Sequence, residues 1–371
     1  MQKKIIVLAI AAALSVPTLA LADTANVTIY GVANLSFDSI STGTNTAGTA
    51  GVSKLVVSSN QSRLGLKGSE DLGDGMSAVW QIESLIAMDN AGGSLGLNRN
   101  TFAGLKSDSM GSVLLGRHDT PYMMSTRKLD LFTDSLADSR GLMGGGTSGA
   151  AANVASAVGF DGRQPDSLVY ISPTFSGFNA AFSRINTAEA VTATNSALSS
   201  IISLAGMYNA GPIYASFAYE SHSFTAAGAG GASTQEKSMK AGFSFAQDAF
   251  TANVVVEKSS DDFGAGKTNA AGHTTFYVAG KFNVASGAIK AAVVKAGKLG
   301  TTLNTGAQQI SLGYDHNLSK RTVAYALYTK VSNQAAVNYG LAGNSSGGGA
   351  TTRNGLGADP SAISFGVKHS F

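Results

Sequence analysis

The segment from Ile363 to Phe371 reads I-S-F-G-V-K-H-S-F, with Ile363, Phe365, Val367, the amphipathic His369 and Phe371 at every second position. Ser364, Gly366, Lys368 and Ser370 fill the gaps. A period of two is that of a β-strand with one oily and one wet face. The sequence reaches its last residue on the aromatic, so the strand is expected to run to the end. An unpaired edge there would template aggregation, which means the strand needs a neighbour on both sides. The start of the mature chain supplies one if the sheet closes on itself. The pattern asks for a barrel.

The same alternation opens the mature chain, with Val27, Ile29, Gly31, Ala33, Leu35 and Phe37 on one face and Thr28, Tyr30, Asn34, Ser36 and Asp38 mostly on the other. Further on, Leu64 and Leu66 alternate with Arg63, Gly65 and Lys67. An acidic, glycine-containing turn from Glu70 to Gly75 follows, and then Ala78, Trp80 and Ile82 alternate with Val79, Gln81 and Glu83. This is a hairpin with the residues hairpin turns use. Six more pairs repeat it: 98–106 with 112–117, 167–172 with 178–186, 201–208 with 213–221, 237–246 with 249–258, 274–284 with 288–296, and 308–315 with 322–331. Seven hairpins and two terminal strands make sixteen. Trp80, Tyr30, Tyr219, Phe365 and Phe371 are candidates for aromatic girdles at the two membrane interfaces.

Short turns alternate strictly with long loops rich in Gly, Ala, Ser, Thr and Asn. That segregation, with an even strand count, predicts an all-β fold: a 16-stranded antiparallel transmembrane β-barrel with short periplasmic turns and long extracellular loops. A soluble sandwich would not sort its loops this way. Hydrophobic residues are 44% of the chain, yet past the leader no run approaches the roughly 18 residues of a spanning helix.

Lys3 and Lys4, an apolar run from Ile5 to about Leu14, and Ala20-Leu21-Ala22 have the form of a secretory signal peptide. We expect residues 1–22 to be removed and 23–371 to form one barrel domain. Without Lys3 and Lys4 there are 24 basic against 23 acidic residues, too balanced for a nucleic-acid partner. Cysteine is absent, which removes disulfides and metal–thiolate chemistry from consideration.

Between His118 and Asp166 nearly fifty residues pass without a convincing strand, and a loop that long usually has a function. Leu129, Phe132 and Leu136 fall at i, i+3, i+7, and Asp130, Asp134 and Asp138 at i, i+4, i+8. At 3.6 residues per turn these are nearly opposite faces of a short helix. Either the apolar stripe rests on a wall and leaves three carboxylates in line on the wet side, or the helix is simply solvated outside.

Enzyme motifs find no support. The five histidines are scattered, with no H-E-x-x-H. Gly144, Gly146 and Gly149 match G-x-G-x-x-G without a strand–helix context. Gly266-Lys267-Thr268 imitates the end of a phosphate loop, but Asp261 stands where its first glycine belongs. No catalytic residue, metal ligand or cofactor is assigned. An outer-membrane enzyme, or a surface adhesin using loops 42–53 and 337–360, is the alternative to transport.

The stretches N-V-T-I-Y-G-V, S-R-L-G-L-K-G-S-E-D-L-G-D-G-M-S-A-V-W-Q-I-E, N-R-N-T-F-A-G-L-K, V-L-L-G-R and the final G-V-K-H-S-F resemble trimeric general porins of the Gram-negative outer membrane, in their beta-proteobacterial branch, over essentially the whole mature chain. The resemblance implies a homotrimer in outer-membrane lipid whose third long loop folds inward to narrow the pore. It also implies that a C-terminal strand ending in Val367, His369 and Phe371 is read by the barrel-assembly machinery. The expected function is passive diffusion of small hydrophilic solutes and ions through a water-filled lumen. In the expected constriction, a basic wall of Arg63, Lys67 and Arg117 faces an acidic loop carrying Asp119, Asp130, Asp134 and Asp138. Arg63 and Lys67 lie opposite Leu64 and Leu66 and should point inward. Asn34 stands where the family often has Asp, and Leu114 where a basic residue is frequent.

Overall fold

The computed structural model describes residues 27–89, 95–96, 99–144, 159–186, 197–225, 233–342 and 353–371. The leader at 1–22 and the Gly146 and Gly149 part of the glycine motif lie outside these residues. Eighteen β-segments follow one another. The first six are β1 (Thr28–Ser41), β2 (Ser53–Ser59), β3 (Arg63–Gly73), β4 (Met76–Ile86), β5 (Leu95–Gly96) and β6 (Thr101–Ser107). Next come β7 (Gly111–Asp119), β8 (Arg163–Ile171), β9 (Phe178–Asn186), β10 (Ala197–Ala210), β11 (Ile213–Thr225) and β12 (Thr234–Ala246). The last six are β13 (Phe250–Asp261), β14 (Thr274–Val284), β15 (Gly287–Ala296), β16 (Ala307–Asn317), β17 (Thr322–Asn333) and β18 (Ser361–Ser370).

Sequential segments pair antiparallel, and β18 returns to β1 from Val32↔Ser370 to Ser41↔Ser361. Phe371 continues the seam by exchanging two backbone hydrogen bonds with Gly31 at 2.9 and 3.1 Å. Its ring covers Gly31, where a Cβ would lie 2.4 Å from Cζ. Two barrel strands are each written in two pieces. Segments β2 and β3 both pair with β1 and are parted only at 60–62, where Gln61 adopts φ 58°. Segments β5 and β6 both pair with β4. Eighteen segments therefore make a closed ring of sixteen strands, as the alternation predicts. The β2 piece, Ser53–Ser59, falls in what the sequence suggests is a polar loop, because Ser-Lys and Ser-Ser flank an unalternated Leu-Val-Val.

Large apolar side chains at every second position stand exposed on the outside: Leu66, Leu115, Phe217, Phe243, Val278, Leu312 and Phe365 are 36% to 61% accessible. The opposite parity is polar and covered, including Ser203, Glu220, Ser238, Gln309 and Thr329 at 0–1%. Oily outside and polar inside is the inverse of a soluble core and suits a ring standing in hydrocarbon, where every backbone polar group must be paired within the protein. Tyr30 departs from the girdle expected of it. It points into the lumen, its hydroxyl donating to Glu83 Oε2 at 2.9 Å, because it shares parity with Asn34 and Ser36.

Of the longest connection, 120–162, the described residues 120–144 and 159–162 fold into the barrel. Its helix, α1 (Pro121–Thr126), has Pro at its first turn and Thr120 as N-cap, whose side chain accepts from Met123 N. A 3-10 turn covers Arg127–Leu129 and another Ser139–Gly141. The helix expected over Leu129 to Asp138 is absent: turns take its place, and Asp134 sits at φ 59°, a left-handed value an α-helix does not contain. The apolar half of that expectation does describe the packing. Leu129, Phe132 and Leu136 are only 1–2% accessible, each burial stabilising by about 1.5–3 kcal/mol. The wall is notched to take them. A Cβ at Gly242 would lie 2.7 Å from Leu129 Cδ1, and one at Gly313 would lie 2.8 Å from Phe132 Cε1.

Candidate pore constriction

The inward loop brings three aspartates onto one arginine. Arg127 lies at 3.7 Å from Asp130, 3.2 Å from Asp134 and 2.5 Å from Asp138. Arg140 makes a second contact with Asp138 at 3.2 Å. The three carboxylates are 9%, 9% and 0% accessible. They therefore do not form an open stripe facing water, as the helical spacing suggests, but a cluster matched from within the loop. Arg127 is the residue the sequence reading misses. It stands three, seven and eleven positions before the three aspartates, so the period that aligns them also aligns it.

Charge states in the cluster follow from burial against pairing. Burial opposes ionisation of Asp138, but Arg127 and then Arg140 hold it far below the usual carboxylate range. Burial works against Asp134 too, and Arg127 and Arg63 outweigh it, keeping that carboxyl low. Asp130 goes the other way: burial, reinforced by Asp138, pushes it up to about 6 despite Arg127. Two of its acceptor sites are taken by Ser139, from N at 2.8 Å and Oγ at 2.9 Å.

From the wall, Arg63 reaches Asp134 Oδ2 at 3.1 Å, so this expected pair meets. Lys67 also points inward, its ammonium 5.3 Å from the Tyr30 ring centre, but it makes no salt bridge among the described residues. Arg117 does not join them. It pairs with Thr101 and shares the outward parity of Val113 and Leu115, where the register shifts between Gly116 and His118. Asp119 ends β7 and pairs with Arg163 on β8 at 2.6 Å. It belongs to the wall and not to the acidic loop. A further cation at the wall is Arg99, ion-paired to Glu83 and donating to Gln61 Oε1 at 2.9 Å. Arg99 and Arg163 lie at strand ends where alternation fades, so no periodic signal marks them, whereas Glu83 shares the wet parity of Val79 and Gln81 inside β4.

The loop is fastened at its far side by Asn34. Its amide donates to Asp134 O at 2.9 Å and Asn60 O at 3.0 Å, while its Oδ1 accepts from Tyr325 Oη at 3.0 Å. A carboxylate could not make the two donations, which gives Asn34 a physical reason to differ from the family's frequent Asp. Leu114 is 5% accessible, packed beside Gly104, and cannot place a charge in the lumen.

Space remains on both sides of the loop. One cavity, of about 340 Å³, is lined by Gln61, Arg140, Asp161 and neighbours. The other, of about 420 Å³, lies on the periplasmic side beside the short turns and holds Lys281, Lys290, Lys320, Arg321, Lys368 and Asp315. Lys290 pairs with Asp315 at 2.9 Å. The lumen of a sixteen-stranded ring is too wide for side chains to fill.

Comparison with known proteins places this architecture. The model of the Gram-negative porin family matches residues 8–336. Outer membrane porin protein 32 of Delftia acidovorans is 29% identical over the full length of both chains. A major outer membrane protein P.IA of Neisseria meningitidis is 35% identical over 32% of this chain and 26% of its own. Among solved structures, the anion-selective porin from Comamonas acidovorans superposes with a TM-score of 0.79, at 23% identity, covering 94% of this chain and all of the other. With a closed ring of outward-oily strands, a loop folded across its lumen and these relatives, the chain belongs to the Gram-negative porins, multi-pass channels of the outer membrane through which small hydrophilic solutes and ions diffuse passively.

Proposed function

We propose that the pore narrows where the Arg127 cluster faces Arg63, and that it passes small anions in preference to cations. The observation that carries this is the state of the loop carboxylates. Each is spoken for by a guanidinium, whereas Lys281, Lys320, Arg321 and Lys368 on the periplasmic side form no salt bridge among the described residues. Fixed charge on a pore wall selects by sign, and what is left over here is positive. The relative described as anion-selective points the same way.

In this reading three copies assemble, as the trimer form of a structurally similar Vibrio cholerae protein does. Residues 1–22 are cleaved on export, and the barrel-assembly machinery takes up the terminal strand. The outward faces of Val367, His369 and Phe371 then meet lipid. Transport needs no catalytic group.

Reversal potentials across a planar bilayer in a salt gradient test the selectivity. Anion preference is expected, falling when Lys281, Arg321 and Lys368 are replaced by Gln and again when Arg63 is. Cation preference in the unaltered channel would overturn the reading.

A further inference from the structure

The seam that closes the barrel holds a buried carboxylate with nothing bonded to it. On β1, Ser36, Asp38 and Ile40 are buried while Phe37 between them is 53% accessible, so Asp38 points inward. It is 0% accessible, and neither of its carboxylate oxygens has a hydrogen-bond partner. Directly opposite on β18 stands Ser364, and Ser58 of β2, opposite Ser36, is its diagonal neighbour. Both serines face the same way, since Phe365 and Val57 beside them are exposed, and both are 1% accessible. Their hydroxyl oxygens also lack a partner. Facing side chains on antiparallel strands have Cβ atoms about 4.5–5.5 Å apart, near enough for a hydroxyl to donate to a carboxylate. Here four oxygens from three adjoining strands stand off from one another instead.

The surroundings offer no substitute. Ser36 Oγ is taken by Asn60 Nδ2 at 2.7 Å. The Tyr325 hydroxyl donates to Asn34 Oδ1 at 3.0 Å and accepts from Asn60 Nδ2 at 3.2 Å. Ile40 and Ala362, the next inward pair along the seam, are apolar and 1–2% accessible. Asp38 makes no salt bridge among the described residues, and Lys54, opposite Ile40 on β2, does not pair with it. An ionised carboxylate removed from water is costly unless it is paired. A proton does not settle the matter, because the acid must then donate its hydrogen and neither oxygen has an acceptor to give it to. What the four atoms share is that all are oxygen, the donor set of hard cations. Oxygens gathered around an ion are held by it beyond hydrogen-bonding reach of each other.

We infer that Asp38, Ser58 and Ser364 bind one alkali-metal cation across β18, β1 and β2. The charge of the ligands sets the charge of the ion. One carboxylate neutralises one positive charge, whereas a divalent ion would leave a second one uncompensated in a place water does not reach. The ion joins the last strand to the first two, so it fastens the ring where the ring closes. A ligand bound to the closed barrel and not to the unfolded chain stabilises the barrel by mass action. This ion is held and not conducted, so the inference is independent of where the pore narrows and of which ions it passes.

Thermal melting of the folded protein in detergent tests it, in sodium chloride against tetraethylammonium chloride at equal ionic strength. The unaltered protein should melt about 2–4 °C higher in sodium. D38N, which keeps the shape and removes the charge, should melt at the same temperature in both salts. S364A keeps the carboxylate and removes one oxygen, and should raise the half-saturating sodium concentration on the order of tenfold. Crystals grown in rubidium chloride supply a readout that does not depend on any variant folding: an anomalous peak is expected among Asp38, Ser58 and Ser364. Equal melting of the unaltered protein in the two salts overturns the inference, as does a sodium effect that persists in D38N. So does density at Asp38 that is an ordered water only.

Discussion

Asn34 on the first strand donates its side-chain amide to the backbone carbonyl of Asp134, 2.9 Å away and 100 residues later. The contact fixes the tip of the inward loop to the wall at the residue whose backbone is left-handed. Asn34→Asp is therefore not a conservative change. It sets a carboxylate against two carbonyl oxygens and next to Asp134. We expect a loss of about 1–3 kcal/mol, read as a lower melting temperature, together with noisier open-channel current. Unchanged noise and melting would show that the loop is held elsewhere.

Arg127→Gln removes the cation common to three carboxylates. Asp138 is fully buried and keeps Arg140 as its cation, with the backbone N–H of Asp134. Breaking a buried network of this kind costs about 3–5 kcal/mol, partly offset if a carboxyl takes up a proton. The loop should loosen and the exposed negative charge should move the reversal potential toward cations. A channel with wild-type selectivity after this change would mean that the cluster does not face the ion path.

The elevated Asp130 gives the pore a titration of its own. Its carboxyl is neutral below about 6 and negative above, so anion preference should fall as pH rises through about 6, and Asp130→Asn should abolish that step. The stability linkage has the same sign. The bound proton favours the folded form, a contribution complete below 3.8 and lost as pH rises through about 6. Asp134 and Asp138, held low, act oppositely: their contribution is present above 3.8 and is lost on acidification.

Gly242→Val fills the notch that receives Leu129. The first added atom alone would lie 2.7 Å from Leu129 Cδ1 and 2.8 Å from Thr126 Cγ2, contacts that force the loop off the wall. Overpacking of this kind costs about 1–3 kcal/mol. The barrel itself should assemble, and single-channel conductance should drop because the displaced loop has only the lumen to move into. An unchanged conductance would place the loop's path elsewhere.

What could be read from the chain divides along a physical line. Strands such as 201–208 and 322–331 announce themselves because lipid on one side and water on the other impose a period of two, regardless of partner. The Leu129, Phe132 and Leu136 stripe was legible for a related reason, since burial against a wall needs one apolar face. The shape of the segment between them was not. Local spacing suggests a helix, but the Asn34 and Arg63 contacts to Asp134, made by residues distant in sequence, and the gathering of three carboxylates on Arg127 go with turns instead. The real helix one turn earlier did leave a mark, in Thr120 as cap followed by Pro121 at the first position. Arg117 lies next to a register shift between Gly116 and His118, where alternation gives no firm reading of which way a side chain faces.

The seam between β1 and β18 sets the order in which the molecule can be made. The first strand emerges from the ribosome some three hundred residues before the partner that completes it. Until then its pairing groups and its oily flank have nowhere to go, and contacts this remote in sequence form late. No partial version of the pore exists along the way: a chain cut short before its last ten residues is an open sheet, unable to sit in a bilayer. Nascent copies must therefore be sheltered from one another during their whole passage to the membrane.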